Sequence, residues 1–304
     1  MANFRITNGN LTIVKEKAFK LEKEIQTLTE ENLKLVFGIE LVKSEFSLNN
    51  LRIDTLAYDN NSNSFVIIEY KRDKNFSVID QGYAYLSLLL NNKADFILEY
   101  NENKNIALKR TDIDWTQSRV IFVAPSFTTY QREAINFKDL PIELWEITRY
   151  ENETVSYNHI KSSGATESIK TITRETEIIE TVNKEIKVFT EREHLEKAQP
   201  EIIELYELIK SIILNLDGID IKPTKYYIAF VSNSNIVDIH IQKKSLKLWI
   251  NMFKGELDDP MNLARDVANI GHWGNGDYEL QISDEDNIDY LISLIKQSYK
   301  KNKK

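Results

Sequence analysis

The run Phe65-Val66-Ile67-Ile68-Glu69-Tyr70 is apolar on both of its alternating faces, with Glu69 as its one charged position. Side chains alternate across a strand with period two, so such a strand needs cover on both sides of its sheet. The run also creates a puzzle. Glu69 and Lys71 lie two apart and share a face, and a charged pair in a buried-type strand is costly unless it serves a purpose.

The flanking segments build a domain around this strand. Glu16 to Phe37 has helical apolar spacing at Phe19, Ile25, Leu28, Leu33 and Val36. Strands are expected at 39–46, 51–58 and 65–71, the last two joined as a hairpin by Asp59-Asn60-Asn61-Ser62-Asn63. A helix over 77–90 starts from Ser77 as N-cap. Strands at 94–100 and 119–123, a helix near 130–137 and a strand at 142–149 complete the reading. Strands interleaved with helices indicate an α/β sandwich around a mixed sheet.

Glu151 to Thr190 breaks the pattern: aromatics thin out, Ser162-Ser163-Gly164 interrupts, and Thr171, Thr173, Thr176 and Thr181 recur among glutamates. We read 1–150 as one domain, 151–190 as a linker with some secondary structure, and 191–304 as a smaller α+β domain. The latter has helices near 200–214 and 285–299 around strands at 226–231, 237–241, 245–251 and 278–281.

Composition narrows the function. The chain has 304 residues and a net charge of −8, so it is no general polyanion-coating protein; nucleic acid would have to meet a local patch. It has no cysteine, which excludes a disulfide framework, a zinc ribbon and a thiol nucleophile. Met1–Asn10 lacks a secretory pattern, and the apolar stretch Tyr83–Leu90 is far short of the roughly 20 residues that span a bilayer. A cytoplasmic protein without membrane contact is expected.

The chemistry gathers on the hairpin. If its strands pair as the turn implies, Asp54 of Arg52-Ile53-Asp54 lies on the face of Glu69 and Lys71. Two carboxylates suit Mg²⁺ (or Mn²⁺), a hard cation that keeps several waters, polarises a phosphoryl oxygen and activates a water for in-line attack. Lys71 can orient that water and stabilise developing charge. On the following helix Gln81 and Tyr85, four apart, share one face. The competing reading of Glu69-x-Lys71 is a cross-strand ion pair.

At these residues the sequence resembles the PD-(D/E)XK nuclease superfamily, closest to its NucS-related members and to bacterial proteins carrying a C-terminal domain of unknown function, some of them labelled as transport proteins. The resemblance covers most of residues 1–150. It implies a restriction-endonuclease-like αβββαβ core, with Asp54 and Glu69 as metal ligands, Lys71 as the catalytic lysine, and Gln81 and Tyr85 in support. Many relatives add a glutamate of the first helix to the metal; Glu31 is the first choice and Glu24 the second. Ile53 stands where the family has proline. Arg52, Arg72 and Lys74, with Lys109 and Arg110, are candidate phosphate contacts. Tyr83, Tyr85 and Trp115 are candidates for base stacking, with core packing as the alternative. DNA is the expected partner and phosphodiester hydrolysis in restriction, repair or defence the expected reaction. A non-catalytic nucleic-acid- or protein-binding module on the same scaffold is the alternative.

The second domain leaves nucleic-acid recognition, a protein partner and homo-oligomer formation all open. His240 and His272 lack the spacing and neighbours of a zinc site. The loop Gly271-His272-Trp273-Gly274-Asn275-Gly276 reads either as a binding loop or, preferred, as a hairpin whose Trp273 closes the core.

Overall fold

The computed structural model describes residues 3–49, 51–74, 76–137, 139–161 and 177–303. Its contacts divide the chain into two units, Met1–Val188 and Phe189–Lys304.

The first unit opens with a two-stranded hairpin, β1 (Asn3–Thr7) and β2 (Asn10–Val14). Asn8 and Gly9 between them sit at φ 50° and 80°, the two left-handed residues that a tight hairpin turn requires. Then follow α1 (Glu22–Glu30), α2 (Leu33–Val36), β3 (Glu40–Leu48), β4 (Leu51–Asp59), β5 (Ser64–Tyr70), α3 (Val78–Asn91), α4 (Lys93–Lys104), β6 (Arg119–Ala124), α5 (Thr129–Ala134), β7 (Ile142–Arg149), β8 (Val155–Ile160) and α6 (Glu177–Glu185). Strands β3 to β8 form one six-stranded mixed sheet in chain order, parallel only at β5–β6 and β6–β7. The expected αβββαβ order is present. Every residue of β5 is buried, as its two apolar faces require. Val66 and Ile68 meet Ile25 and Leu33 of α1 and α2 on one side. Phe65 and Ile67 belong with Leu86 and Leu89 of α3 on the other.

Three expectations change. The helix expected over 16–37 is shorter, because Glu16 bridges Tyr150 as β structure and Lys17 N–H donates to Arg149 O. It also breaks before α2, where Asn32 leaves helical geometry and its side chain bonds Leu28 O. The strand expected at 94–100 is helix α4: Phe96 and Tyr100, four apart, are buried together while Leu98 is exposed, the spacing of a helix face. The segment 151–190 contributes β8, paired with β7, and α6, packed on α3. Both belong to the first unit. Ser162-Ser163-Gly164, Thr171, Thr173 and Thr176 lie outside the described residues.

The second unit runs α7 (Glu191–Leu195), α8 (Pro200–Leu214), β9 (Asp220–Pro223), β10 (Ile228–Val231), β11 (Asn235–Ile241), β12 (Leu246–Ile250), β13 (Arg265–Asp266), β14 (Tyr278–Ile282) and α9 (Ile288–Asn302). Its six strands form an antiparallel sheet in the order β13-β14-β12-β11-β10-β9. Ile209 of α8 and Ile295 of α9 pack with Ile239 and Leu248 on one face. Tyr227, Ala229, Trp249 and Val267 form a smaller cluster on the other. The fold is thus α/β with a mixed sheet plus an α+β unit. Trp273 does not close the core: it is 54% exposed, and Trp249, at 2%, fills that role. No described helix is long and apolar enough to cross a membrane.

Candidate active site

The site forms where β4 and β5 part. Their ladder ends at the pair Thr55–Ile68, while β5 stays with β6 through Tyr70–Val123, and Lys71 N–H still donates to Val123 O. Asp54 stands one step beyond the last pair, opposite Glu69. Its Oδ2 accepts the Tyr70 N–H at 3.2 Å, in place of a strand partner. The opening thus holds one carboxylate from each strand.

Glu69 is 4% exposed. Its Oε1 accepts from Lys71 Nζ at 2.6 Å and Gln81 Nε2 at 2.9 Å, and its Oε2 from Tyr85 OH at 2.9 Å. Gln81 Nε2 also reaches Tyr85 OH at 3.1 Å, and Tyr85 OH lies 3.2 Å from Arg52 O. These contacts need α3 pressed close to the sheet, and Gly82 permits it. A Cβ there would come within 2.5 Å of Ile142 Cδ1. Ser77 starts the helix as expected, its Oγ accepting from Asp80 N.

Asp54 is less well provided. Arg52 Nη2 is 3.9 Å from its Oδ1, at the edge of ion-pair range. Burial, then repulsion from Glu69, pushes its carboxyl up to about 6, against the Tyr70 N–H and the charges of Lys71 and Arg52. Burial and the Glu69 charge also raise the Tyr85 phenol, which keeps it a neutral donor.

The trio expected from sequence is therefore brought together, with Gln81 and Tyr85. The other expected residues behave differently. Glu31 and Glu24 line a groove with Lys17, Phe19 and Arg149 that Asp54, Glu69 and Lys71 do not line, and Glu24 pairs with Arg149 at 3.1 Å. Among the described residues no three His, Cys, Asp or Glu side chains converge as a metal cluster. The Arg72 side chain donates to Lys20 O at 2.8 Å, and the Arg72 backbone N–H donates to Glu22 Oε1 at 3.0 Å. Lys74 is exposed in the loop before α3, and Arg52 is exposed beside Asp54. Tyr83 and Tyr85 are buried, and Trp115 packs on Phe65 at 5.6 Å, so these rings are not free to stack on bases.

A layer behind the strand went unread in the sequence. Gln26 Nε2 donates to Asp54 O at 2.9 Å, and Glu30 Oε1 accepts from Gln26 at 3.0 Å and from Thr55 Oγ1 at 2.5 Å. Thr55 Oγ1 also meets Tyr70 OH at 3.2 Å. The signal was present: Gln26 and Glu30 lie four apart on α1, and Thr55 and Tyr70 flank Asp54 and Glu69 on the opposite strand face.

Comparison with known proteins gives membership first. A Haemophilus influenzae protein described as uncharacterized is 53% identical over 301 residues, covering 99% of this chain and 100% of that protein. The chain belongs to its family. Residues 191–302 match the domain of unknown function DUF5655, which is the second unit almost end to end. Three solved structures align with 44–48% of this chain. A repair endonuclease from Pyrococcus abyssi aligns at 16% identity, TM-score 0.23 and 60% of its own length. Apo EndoMS aligns at 18%, 0.26 and 58%. EndoMS in a complex titled with double-stranded DNA aligns at 16%, 0.23 and 64%. The alignments thus span less than two thirds of each of those proteins, and scores this low do not establish a shared fold.

Proposed function

We propose that the first unit is a Mg²⁺- or Mn²⁺-dependent nuclease acting on DNA phosphodiesters, with Asp54 and Glu69 holding the cation. One observation carries the reading. Two carboxylates and a lysine meet in the gap between parting strands, and one of those carboxylates is under-satisfied. A carboxylate offers about four acceptor sites. Among the described residues Glu69 takes three hydrogen-bond donors and Asp54 one, which leaves acceptor capacity on both carboxylates. Mg²⁺ asks for no more than one or two carboxylates, the rest of its shell being water. The donor set therefore fits a hard cation. When bound, the cation supplies Lewis acidity toward the phosphate and lowers the pKa of water.

The chain's own groups do the rest. Gln81 and Tyr85 fix the Glu69 carboxylate, and Glu69 in turn fixes the Lys71 ammonium, which is placed to orient a nucleophile and balance charge on the phosphorane. Arg52 is the nearest exposed cation for a phosphate entering beside Asp54. Glu31 is outside this ligand set, since it lines the groove beside α1. The test is incubation of the full chain with single-stranded, double-stranded and branched DNA plus Mg²⁺ or Mn²⁺. Cleavage is expected, and the Glu69→Ala/Lys71→Ala double variant should lose it. Wild-type rates in that variant would remove the site.

The second reading, a binding module without catalysis, draws on the same atoms: Glu69 is already held by three donors. Calorimetry separates the two. Divalent binding that Asp54→Ala weakens supports the nuclease, and no binding at millimolar Mg²⁺ supports the module.

A further inference from the structure

The second unit carries an exposed aromatic group that its core does not use. Trp273, 54% exposed, stacks on Tyr226, 40% exposed, with centroids 5.0 Å apart and planes 13° from parallel. The His240 ring meets Trp273 edge-on at 4.9 Å. The loop that presents Trp273 is pinned from beneath. Asp238 Oδ2 accepts from Asn275 N at 2.6 Å and Asn275 Nδ2 at 2.8 Å. The His272 ring is held between Ile270 O at 2.7 Å and Gly276 O at 2.9 Å. At Gly274 a Cβ would lie 2.4 Å from Trp249, so the loop rests directly on that ring. Gly276, at φ 89°, turns the chain back where a Cβ would strike Ile250 O. Trp273 is thus a pre-organised surface rather than a side chain on a loose tip.

Charge selects what that surface would bind. The β11–β12 register sets Lys247 opposite His240, and Lys243 and Lys244 lie in the turn joining those strands. Lys225 Nζ lies 5.1 Å from the Tyr226 ring centre. The acids Asp220 and Asp277 stand at the other end of the same sheet face, near Val231 and Asn251. Glu279, between the ends, is paired with Lys247 at 3.3 Å. In a chain of net charge −8, this end of the sheet collects lysines around a flat π-surface. Cationic ligands of aromatic cages are repelled by such a setting, whereas a base stacked on an aromatic ring with its phosphate near lysine matches it.

We propose that this end of the second unit's outer sheet face binds an unpaired nucleobase with its phosphate, Trp273 stacking the base and the neighbouring lysines meeting the phosphate. The proposal does not depend on catalysis in the first unit.

The test uses the full chain in EDTA, which silences metal-dependent binding at Asp54 and Glu69, with a fluorescein-labelled 20-mer of deoxythymidylate read by anisotropy. Binding is expected to weaken with salt, with a slope near −0.7 per phosphate met. Trp273→Ala should weaken it about 5-fold or more, since one base stack is worth about 1–3 kcal/mol. Trp273→Phe should keep most of the affinity. Lys243→Glu with Lys244→Glu should flatten the salt slope without altering the thermal melt. Competition with thymidine monophosphate names the source: displacement at millimolar concentration points to free nucleotides, and displacement by oligonucleotide alone points to a strand. Either supports the proposal. No binding by the wild type overturns it, as do Trp273→Ala and lysine variants that stay within twofold of wild type. Capture of a proline-rich peptide with no oligonucleotide binding overturns it in favour of a protein partner.

Discussion

Two aspartates, one in each unit, one half-buried and one fully buried, have carboxyls raised by the same leading cause and sit in opposite settings. Asp54 is pushed up to about 6 and Asp238 to about 7, burial coming first for both. Asp238 is fully buried, and three donors answer it: Asn235 Nδ2 at 2.8 Å, with Asn275 N and Nδ2. Its neighbours are amides, and the charge that acts on it, His272, favours its ionised form. Asp54 has one protein donor, a like charge opposite and a gap between strands. A raised carboxyl alone therefore does not mark a site. The distinguishing quantity is acceptor capacity left unused beside a second carboxylate: Asp238 spends its capacity holding a loop, and Asp54 keeps it.

The largest expected effect breaks this comparison at Asp54. Asp54→Asn should lower metal-dependent cleavage by about 10³-fold or more, the several kcal/mol that a bound cation contributes to the transition state. The same variant should be more stable than wild type at pH 7 by about 1–2 kcal/mol, because it removes a half-buried charge beside Glu69. Activity and stability moving in opposite directions would mark a functional acid. A stability loss with full activity would make Asp54 structural. Denaturant melts and a cleavage assay on one preparation read both.

Asp238→Asn should do the reverse. Asparagine offers one acceptor where three donors converge, so at least one buried N–H is left unpaired, at about 1–3 kcal/mol each. The second unit should melt earlier by about 2–4 kcal/mol, with cleavage by the first unit unchanged. An Asp238→Asn protein as stable as wild type would show that the loop is held by Gly274 on Trp249 instead.

How far these features could be read from sequence follows from how local they are. Asp54, Glu69, Lys71, Gln81 and Tyr85 lie within about thirty residues on a hairpin and the next helix, where strand alternation and helical spacing suffice. The N-terminal hairpin was missed although Asn8-Gly9 announces it. Helix α4 reads as a strand in the sequence because Phe96-Ile97-Leu98 is a short apolar run, which periodicity alone does not resolve. Glu31 was chosen by analogy. Only packing reveals that α1 turns Gln26 and Glu30, rather than Glu31, toward the β4–β5 hairpin. Trp273 reads as a core residue in the sequence because exposure is a tertiary property, and Trp249 fills that space.

pH sharpens the contrast between the two acids. For each, the folded carboxyl is raised above its unfolded value, so the folded state holds the proton more tightly. Stability then falls as pH rises between the two values, from about 4 to 6 for Asp54 and from about 4 to 7 for Asp238. Mg²⁺ favours the ionised Asp54, so it should erase the first window, release protons near pH 6 and raise the first unit's melting temperature. The window of Asp238 should not respond. Thermal melts from pH 4 to 8, with and without 10 mM Mg²⁺ or EDTA, would show the two apart. A Mg²⁺ effect that persists in Asp54→Asn would place the cation elsewhere.

The smallest expected effect concerns the groove beside α1. Glu31 shares it with Lys17, Phe19 and Arg149, away from the strand opening. Glu31→Gln should therefore leave Mg²⁺ affinity within twofold and stability within about 0.5 kcal/mol, as surface substitutions do. Glu30→Gln should cost more, since Glu30 accepts from both Gln26 and Thr55 behind Asp54. Both donors meet the one oxygen Oε1, so an amide oxygen there still accepts both but without the carboxylate charge, and the loss should be about 1 kcal/mol with reduced cleavage. If Glu31→Gln instead removed metal binding and Glu30→Gln did not, the groove would have to close onto Asp54 when the cation arrives. The gap between β4 and β5 would then be half of a site rather than the whole of it.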